Sequence, residues 1–334
     1  MADEYLPGVT IGGAWEMTGR FRNQPLLSPG LAPSLLVRLG SVFGRGHETL
    51  HFVLWAALKA QKGRPFNGFE PDGRDVFVAT YTKSGTNWAL QICQQIIWRG
   101  AAEFEHIHDL VAWPEAPVLG LPTLGDRSMA DDAPTGKRVI KTAVSWNYLP
   151  WGPEAKYIAV LRDPKEIVVS AYHFLPMVMG IAHLVTPEQW LARFLGPRFG
   201  AGSIGRYLAE AWRRRDEPNA LLLRYRDMQR DLGTAVDAVA ALLGVELTDP
   251  ERAAVVERSG YAWMKAHEER FAPPIFPLTG AGGRSAKMLR SGKSGNAGEL
   301  YDRDQQAAID RHVMAELQAL GSDFPYRELF DVVE

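Results

Sequence analysis

From about residue 70 onward, short apolar runs alternate with stretches in which apolar side chains recur every three to four residues. Asp75-Val76-Phe77-Val78-Ala79 is a run of the β-rich type that a parallel sheet buries on both faces. Beyond the polar residues that follow it, Trp88, Ala89, Ile92, Cys93, Ile96 and Ile97 recur at helical spacing, with Gln91, Gln94 and Gln95 between them, up to Gly100. Arg138 to Ala143 predicts a second strand, Lys156 to Leu161 a third and Leu221 to Tyr225 a fourth. Helices are predicted over 167–174, from Thr186-Pro187-Glu188-Gln189 onward, and over 204–215, 233–244, 248–258 and 302–320. Strands alternating with helices predict an α/β fold, a single domain with a central parallel sheet flanked by helices. Residues 1–70 are rich in glycine and proline and show little periodicity apart from Thr49 to Lys59. They are expected to be an N-terminal elaboration packed on a main domain of residues 71–334. The proline-dense stretch Asp109 to Pro134 predicts a long irregular segment of functional type.

Two strand-to-helix junctions carry the candidate chemistry. Thr80-Tyr81-Thr82-Lys83-Ser84-Gly85-Thr86-Asn87-Trp88 lies where the first strand ends and a helix begins. There, unpaired backbone N–H groups and the helix dipole favour an anion. Gly85 permits close approach of the backbone, Ser84, Thr86 and Asn87 add donors, and Lys83 adds positive charge. A nucleoside triphosphatase loop places its lysine after the second glycine; here Lys83 precedes Gly85. At the second junction, Asp163 is placed to cap a helix, Pro164 suits its first position, and Glu166 is expected to complete a capping box. Arg162 stands just before them and offers a planar fork of donors matched to phosphate oxygens.

Composition narrows the classes. A chain of 334 residues, 46% of them hydrophobic, buries a sizeable core. Its net charge of -2 gives no general electrostatic reason to expect nucleic acid, and Arg213-Arg214-Arg215 reads as a solvated face. Cys93, the single cysteine, forms no internal disulfide, fits a reducing compartment and reads as a core residue. Met1-Ala2-Asp3-Glu4 is not a signal-peptide start, and no apolar run is long enough to span a bilayer, so a soluble cytoplasmic protein is the expectation. His47 and His51 stand one turn apart, but without a third ligand no metal site is expected. His106-Ile107-His108-Asp109 is open to reading as a solvated loop, as metal ligands or as a general base.

The pattern Thr80-Tyr81-x-Lys83-Ser84-Gly85-Thr86-x-Trp88 resembles the 5′-phosphosulfate loop of sulfotransferases that use 3′-phosphoadenosine-5′-phosphosulfate (PAPS). Arg162 and, eight residues later, Ser170 look like that family's 3′-phosphate motif. Tyr225-Arg226-Asp227-Met228 is similar to its Tyr-Glu-Asp-Met, and Ser259-Gly260-Tyr261-Ala262-Trp263-Met264 to its stretch beside the adenine. Arg290-Ser291-Gly292-Lys293-Ser294-Gly295-Asn296-Ala297 resembles the closing Arg-Lys-Gly-x-x-Gly-Asp-Trp, from which Ser291, Asn296 and Ala297 depart.

The resemblance covers residues 70–325 and implies a P-loop-like, sulfotransferase-type fold with PAPS as donor and adenosine 3′,5′-bisphosphate (PAP) as product. It carries Lys83, Ser84, Gly85, Thr86, Asn87, Trp88, Arg162, Ser170, Tyr225, Ser259, Tyr261, Arg290, Ser291 and Gly292 over as cofactor-binding residues. Lys83 and Lys141 come over as catalytic, with no metal and with a hydroxyl or amine of a small molecule as acceptor.

One departure touches the chemistry. Where the family reads Lys-Thr-His and the histidine is the general base, this chain reads Lys141-Thr142-Ala143. Another group serves, with His106, His108, Glu115 and His173 as candidates; or the acceptor is an acidic phenol that needs little help; or the protein binds the cofactor without turning it over. Trp113, Trp146, Tyr148, Trp151, Phe174, Met177 and Met179 suggest an apolar acceptor pocket and hence a small hydrophobic alcohol or phenol. A small-molecule kinase is the other class in view, and the order of Lys83 and Gly85 and the pair Arg162 and Ser170 speak against it.

Overall fold

The computed structural model describes residues 64–334 apart from 117–120, 179–181, 197–198, 200–201, 273–288 and 291–294, together with scattered positions from 36 to 56. Five parallel strands form one sheet in the order β2-β3-β1-β4-β5. They are β1 (Asp75–Ala79), β2 (Val111–Ala112), β3 (Arg138–Thr142), β4 (Lys156–Leu161) and β5 (Ala220–Arg224). The continuous apolar runs follow from burial on both faces. Alternate residues of each strand enter two separate cores: Phe77, Ile140, Tyr157 and Ala159 on one face, Val76, Val78, Val139, Ile158 and Val160 on the other.

Helix α1 (Thr86–Ile97) puts Ile92, Cys93 and Ile96 into the second core, so Cys93 is a core residue as expected. Helices α3 (Pro164–Val178), α4 (Pro187–Phe194), α5 (Ile204–Trp212) and α10 (Arg303–Ala319) line the first. The Thr186 hydroxyl accepts from the Gln189 amide and the Asp302 carboxylate from the Gln305 amide, both within capping boxes. Among the described residues no helix is long and apolar enough to cross a membrane.

Several expectations are corrected. The stretch 109–134 is not wholly irregular: it contains β2 and the short helix α2 (Ser128–Asp132). A two-residue strand is too short to show a period, and it exists because β3 offers it an edge. Tyr225 does not close the fourth strand but opens helix α6 (Tyr225–Arg230). Arg213 to Arg215 lie just beyond the end of α5. Helix α3 begins at Pro164, and Asp163 accepts from the Lys165 amide at 2.9 Å, but Glu166 completes no capping box. Its carboxylate instead accepts from Arg162 Nε at 3.0 Å and from the Gly295 amide, because the charge-assisted bond from Arg162, four residues away, together with the distant Gly295 amide, outcompetes the bond to its own helix start. Trp146 and Trp151 pack on the core around Tyr157, Trp151 stacking on it at 4.0 Å, so they do not line a pocket. Of the predicted helix over 49–59, Thr49, Phe52 and Ala56 are helical, and the Glu48 carboxylate before it reaches Arg193 of α4 at 3.1 Å. His47, His51 and Met179 lie outside the described residues.

Candidate functional site

Because β1 lies between β3 and β4, the carboxyl ends of these three strands present Lys83, Lys141 and Arg162 at one edge of the sheet. Between β1 and α1 the backbone turns through two left-handed residues, Lys83 with φ 64° and Gly85 with φ 110°. A side chain at position 85 would also meet Tyr225 Cδ2 at 2.9 Å, so both conformation and space require glycine there. Lys83 has no such freedom and holds a left-handed conformation that is uncommon for a residue with a Cβ. Gly85 supplies no side-chain cap to α1, which leaves the N–H groups of the first turn facing the loop.

Two hydroxyls at the site are orphaned. Ser84 and Ser259 are wholly buried, and neither Oγ has a hydrogen-bond partner among the described residues. Leaving such a group unpaired costs about 1–3 kcal/mol, which a ligand oxygen would recover. Other polar side chains of the loop are engaged within the protein. Thr86 Oγ1 lies 2.6 Å from Thr80 Oγ1, Asn87 donates to the Phe271 carbonyl at 3.0 Å, and Trp88 Nε1 donates to the Ser259 carbonyl at 2.8 Å. These bonds hold the start of α1 against the segment 259–271.

Positive charge converges on the same place. The Lys83 ammonium sits 3.8 Å from the centre of the Phe174 ring. Arg162 donates Nη1 to the Lys83 carbonyl at 2.9 Å, and its guanidinium lies 4.2 Å from the Tyr225 ring centre. Tyr225 in turn packs edge-on to Trp88 at 5.4 Å. Burial lowers Lys83 to about 7, helped by the charges of Arg162, Lys141 and Arg290. Burial likewise lowers Lys141 to about 7, opposed by the Glu115 carboxylate. Lys141 Nζ is 3.1 Å from His108 Nε2 and 3.5 Å from the centre of the Trp113 ring. Cations crowded into a desolvated edge suit a polyanion.

A sulfotransferase domain model matches residues 73–321, three quarters of the chain. The chain belongs to the sulfotransferase family. It is 32% identical over 186 residues to sulfotransferase 4A1 of Homo sapiens, covering 55% of this chain and 64% of that protein, just under two thirds of its length. With sulfotransferase 2B1 of Rattus norvegicus it shares 29% over 258 residues, 75% of this chain and 73% of that one. Among solved structures it resembles retinol dehydratase in complex with androsterone and inactive cofactor PAP, with a TM-score of 0.64 at 18% identity over 79% of this chain and 88% of that chain. Mouse sulfotransferase SULT7A1 complexed with PAP gives a TM-score of 0.59 at 20% identity, covering 80% and 91%.

Elsewhere in the chain the candidate residues are arranged as follows. Ser170 lies on α3, partly exposed; Tyr261 opens the short helix Tyr261–Ala266 with its ring 41% exposed. Arg290 pairs with Glu299 at the surface, and Ser291 and Gly292 lie outside the described residues. Ala143 is exposed at the end of β3, and its amide donates to Glu115 Oε1 at 2.6 Å. His106 Nε2 bonds the Ala272 carbonyl at 3.0 Å, and His173 Nε2 lies 3.9 Å from Glu299. Burial keeps His108 well below its ordinary range, hence neutral. The structure adds Glu166, which orients Arg162, a contact whose only trace in the sequence is the four-residue spacing on a helix.

Proposed function

We propose that this sulfotransferase moves the sulfuryl group of PAPS to a hydroxyl or amine of a small hydrophobic acceptor. The observation that carries the reading is the convergence of Lys83, Lys141 and Arg162 with the buried, unpartnered Ser84 hydroxyl at the amino end of α1. The residues present suit the donor: the loop's N–H groups and Ser84 would meet the 5′-phosphosulfate, and Arg162 and Ser170 the 3′-phosphate. Ser259, whose carbonyl accepts from Trp88 Nε1, would offer its hydroxyl on the side of the adenine. Bound PAPS supplies an activated sulfuryl group.

The protein's part in the chemistry is positional and electrostatic. An acceptor oxygen attacks sulfur in line, and negative charge grows on the oxygen bridging sulfur to phosphate. Lys83 stands to neutralise that charge, which favours the transition state over the ground state. Lys141 steadies the sulfuryl oxygens. The rings of Phe174 and Trp113 beside the two ammonium groups form apolar walls that exclude water and suit a hydrophobic acceptor. Androsterone and retinol, held by retinol dehydratase structures of the same fold, support that class of acceptor.

Calorimetric titration with PAP and with ATP and magnesium tests the donor. PAP is expected to bind, ATP not, and Arg162→Ala to weaken PAP. Lys83→Ala is expected to fold and to lower turnover by roughly 100–1,000-fold; normal turnover would remove Lys83 from the mechanism. Ala143 favours a second reading, a PAP- and PAPS-binding protein without turnover. It predicts tight PAP binding with no transfer to any alcohol, phenol or amine.

A further inference from the structure

The end of β3 shows a missing group and a neighbour that reaches its place. β2 and β3 run parallel with Ala112 opposite Ile140. Three residues on in each segment stand Glu115 and Ala143, and they are joined by the 2.6 Å bond from the Ala143 amide to Glu115 Oε1. One residue on from the same pair stand Trp113 and Lys141, whose ring and ammonium are also in contact. The turn that follows β2 therefore brings a carboxylate to the residue just after β3, whose own side chain is only a methyl. Lys141 connects the two halves of the site: its charge acts on Glu115 and on Lys83 alike.

We propose that Glu115 accepts the acceptor's proton, in the place that Ala143 leaves without a base; this rests on the sulfotransferase reading above. In the step, the acceptor oxygen bonds to sulfur, and the bond from sulfur to the bridging phosphate oxygen breaks, its electron pair leaving with PAP beside Lys83. The hydroxyl proton passes to the Glu115 carboxylate, which later returns it to water.

The other candidates are engaged differently. His108 Nε2 is bonded to Lys141 Nζ, and His106 Nε2 to the Ala272 carbonyl. His173 faces Glu299 and Arg290. Around Glu115, burial raises the carboxyl above its ordinary range, while the Ala143 amide, the Thr142 hydroxyl and the Lys141 charge pull it back. A carboxylate raised toward the working pH is the stronger base.

Glu115→Gln keeps an acceptor for the Ala143 amide and removes the base. With an aliphatic alcohol, kcat is expected to fall about 100–10,000-fold. With an acidic phenol such as 4-nitrophenol, which needs little help, it should fall by about tenfold or less. PAP affinity by calorimetry should be unchanged, and adding Ala143→His to Glu115→Gln should restore part of the alcohol rate. In the wild type, the Glu115 carboxyl carbon, identified by its loss from the NMR spectrum of Glu115→Gln, should titrate above the ordinary glutamate range. Equal slowing of alcohol and phenol would make Glu115 a positioning residue and overturn the proposal. Unchanged rates in the variant would do so too, and would point to His173. Those outcomes leave the sulfotransferase reading intact, whereas a wild type that binds PAP but transfers to nothing overturns both, before any variant is made.

Discussion

Gly85 shows how narrowly a single residue is specified at the loop. Its φ of 110° excludes a side chain on conformational grounds, and Tyr225 at 2.9 Å excludes one on steric grounds. Displacing Tyr225 would disturb the ring on which the Arg162 guanidinium rests. Gly85→Ala is therefore expected to lower stability by about 1–3 kcal/mol and to weaken PAP binding more than tenfold. Denaturant titration and calorimetry check the two effects, and a variant with unchanged PAP affinity would show that the Tyr225 ring is not part of the receptor. The glycine was legible from the loop pattern, but the neighbour that makes it obligatory was not. Tyr225 reaches it from 140 positions along the chain. Phe174 over Lys83 is hidden for the same reason.

At the level of elements, the two ends of the sheet do different work. The carboxyl ends of β1, β3 and β4 carry the candidate site, while the amino ends of β1 and β3 carry a buried ion cluster. Asp75, at the start of β1, accepts from Arg138 Nε at 2.8 Å and from Arg127 Nη1 at 2.9 Å. Arg138 and Asp75 side chains are both wholly buried. Removing the carboxylate strands a buried guanidinium, so Asp75→Ala is expected to cost about 3–5 kcal/mol. Thermal unfolding should show it, with PAP affinity of the folded fraction unchanged because the cluster lies at the opposite end of the strands. Helix starts with a side chain acting only on its own turn, at Thr186 and Asp302, were legible. Glu166 departs from the local rule because Arg162, four residues before it, competes for its carboxylate, and only the packed molecule adds the Gly295 amide.

Across the whole molecule, the cation cluster draws on segments far apart in the chain: Lys83, Lys141, Arg162 and Arg290. Lys83 and Lys141 are each lowered to about 7 by burial. Near neutral pH each is only partly protonated, and a bound polyanion favours the protonated form. PAP binding is thus expected to take up protons at pH 7–8, tightest below about 7 and weakening as pH rises above it. Titrations in two buffers of different ionisation enthalpy would report that uptake; none would mean that the lysines are already fully charged. Behind the site, Asp310 of α10 ties the carboxyl-terminal segment to α3, accepting from Lys165 Nζ at 2.8 Å, from the Tyr326 hydroxyl at 2.6 Å and from the Val333 amide at 2.8 Å.

By itself the sequence determined the alternation of strands and helices, the glycine-bearing loop between β1 and α1, the arginine after β4 and the alanine at position 143 where the family carries histidine. These follow from periodicity, turn chemistry and residue order, which act within a few neighbours along the chain. The tertiary structure decided that β1 lies between β3 and β4, that a two-residue strand extends the sheet, and that Glu115 comes to stand against Ala143. Register between strands is set by side chains packing across distant segments, and a pair such as Glu115 and Ala143, 28 residues apart, has no local pattern to announce it.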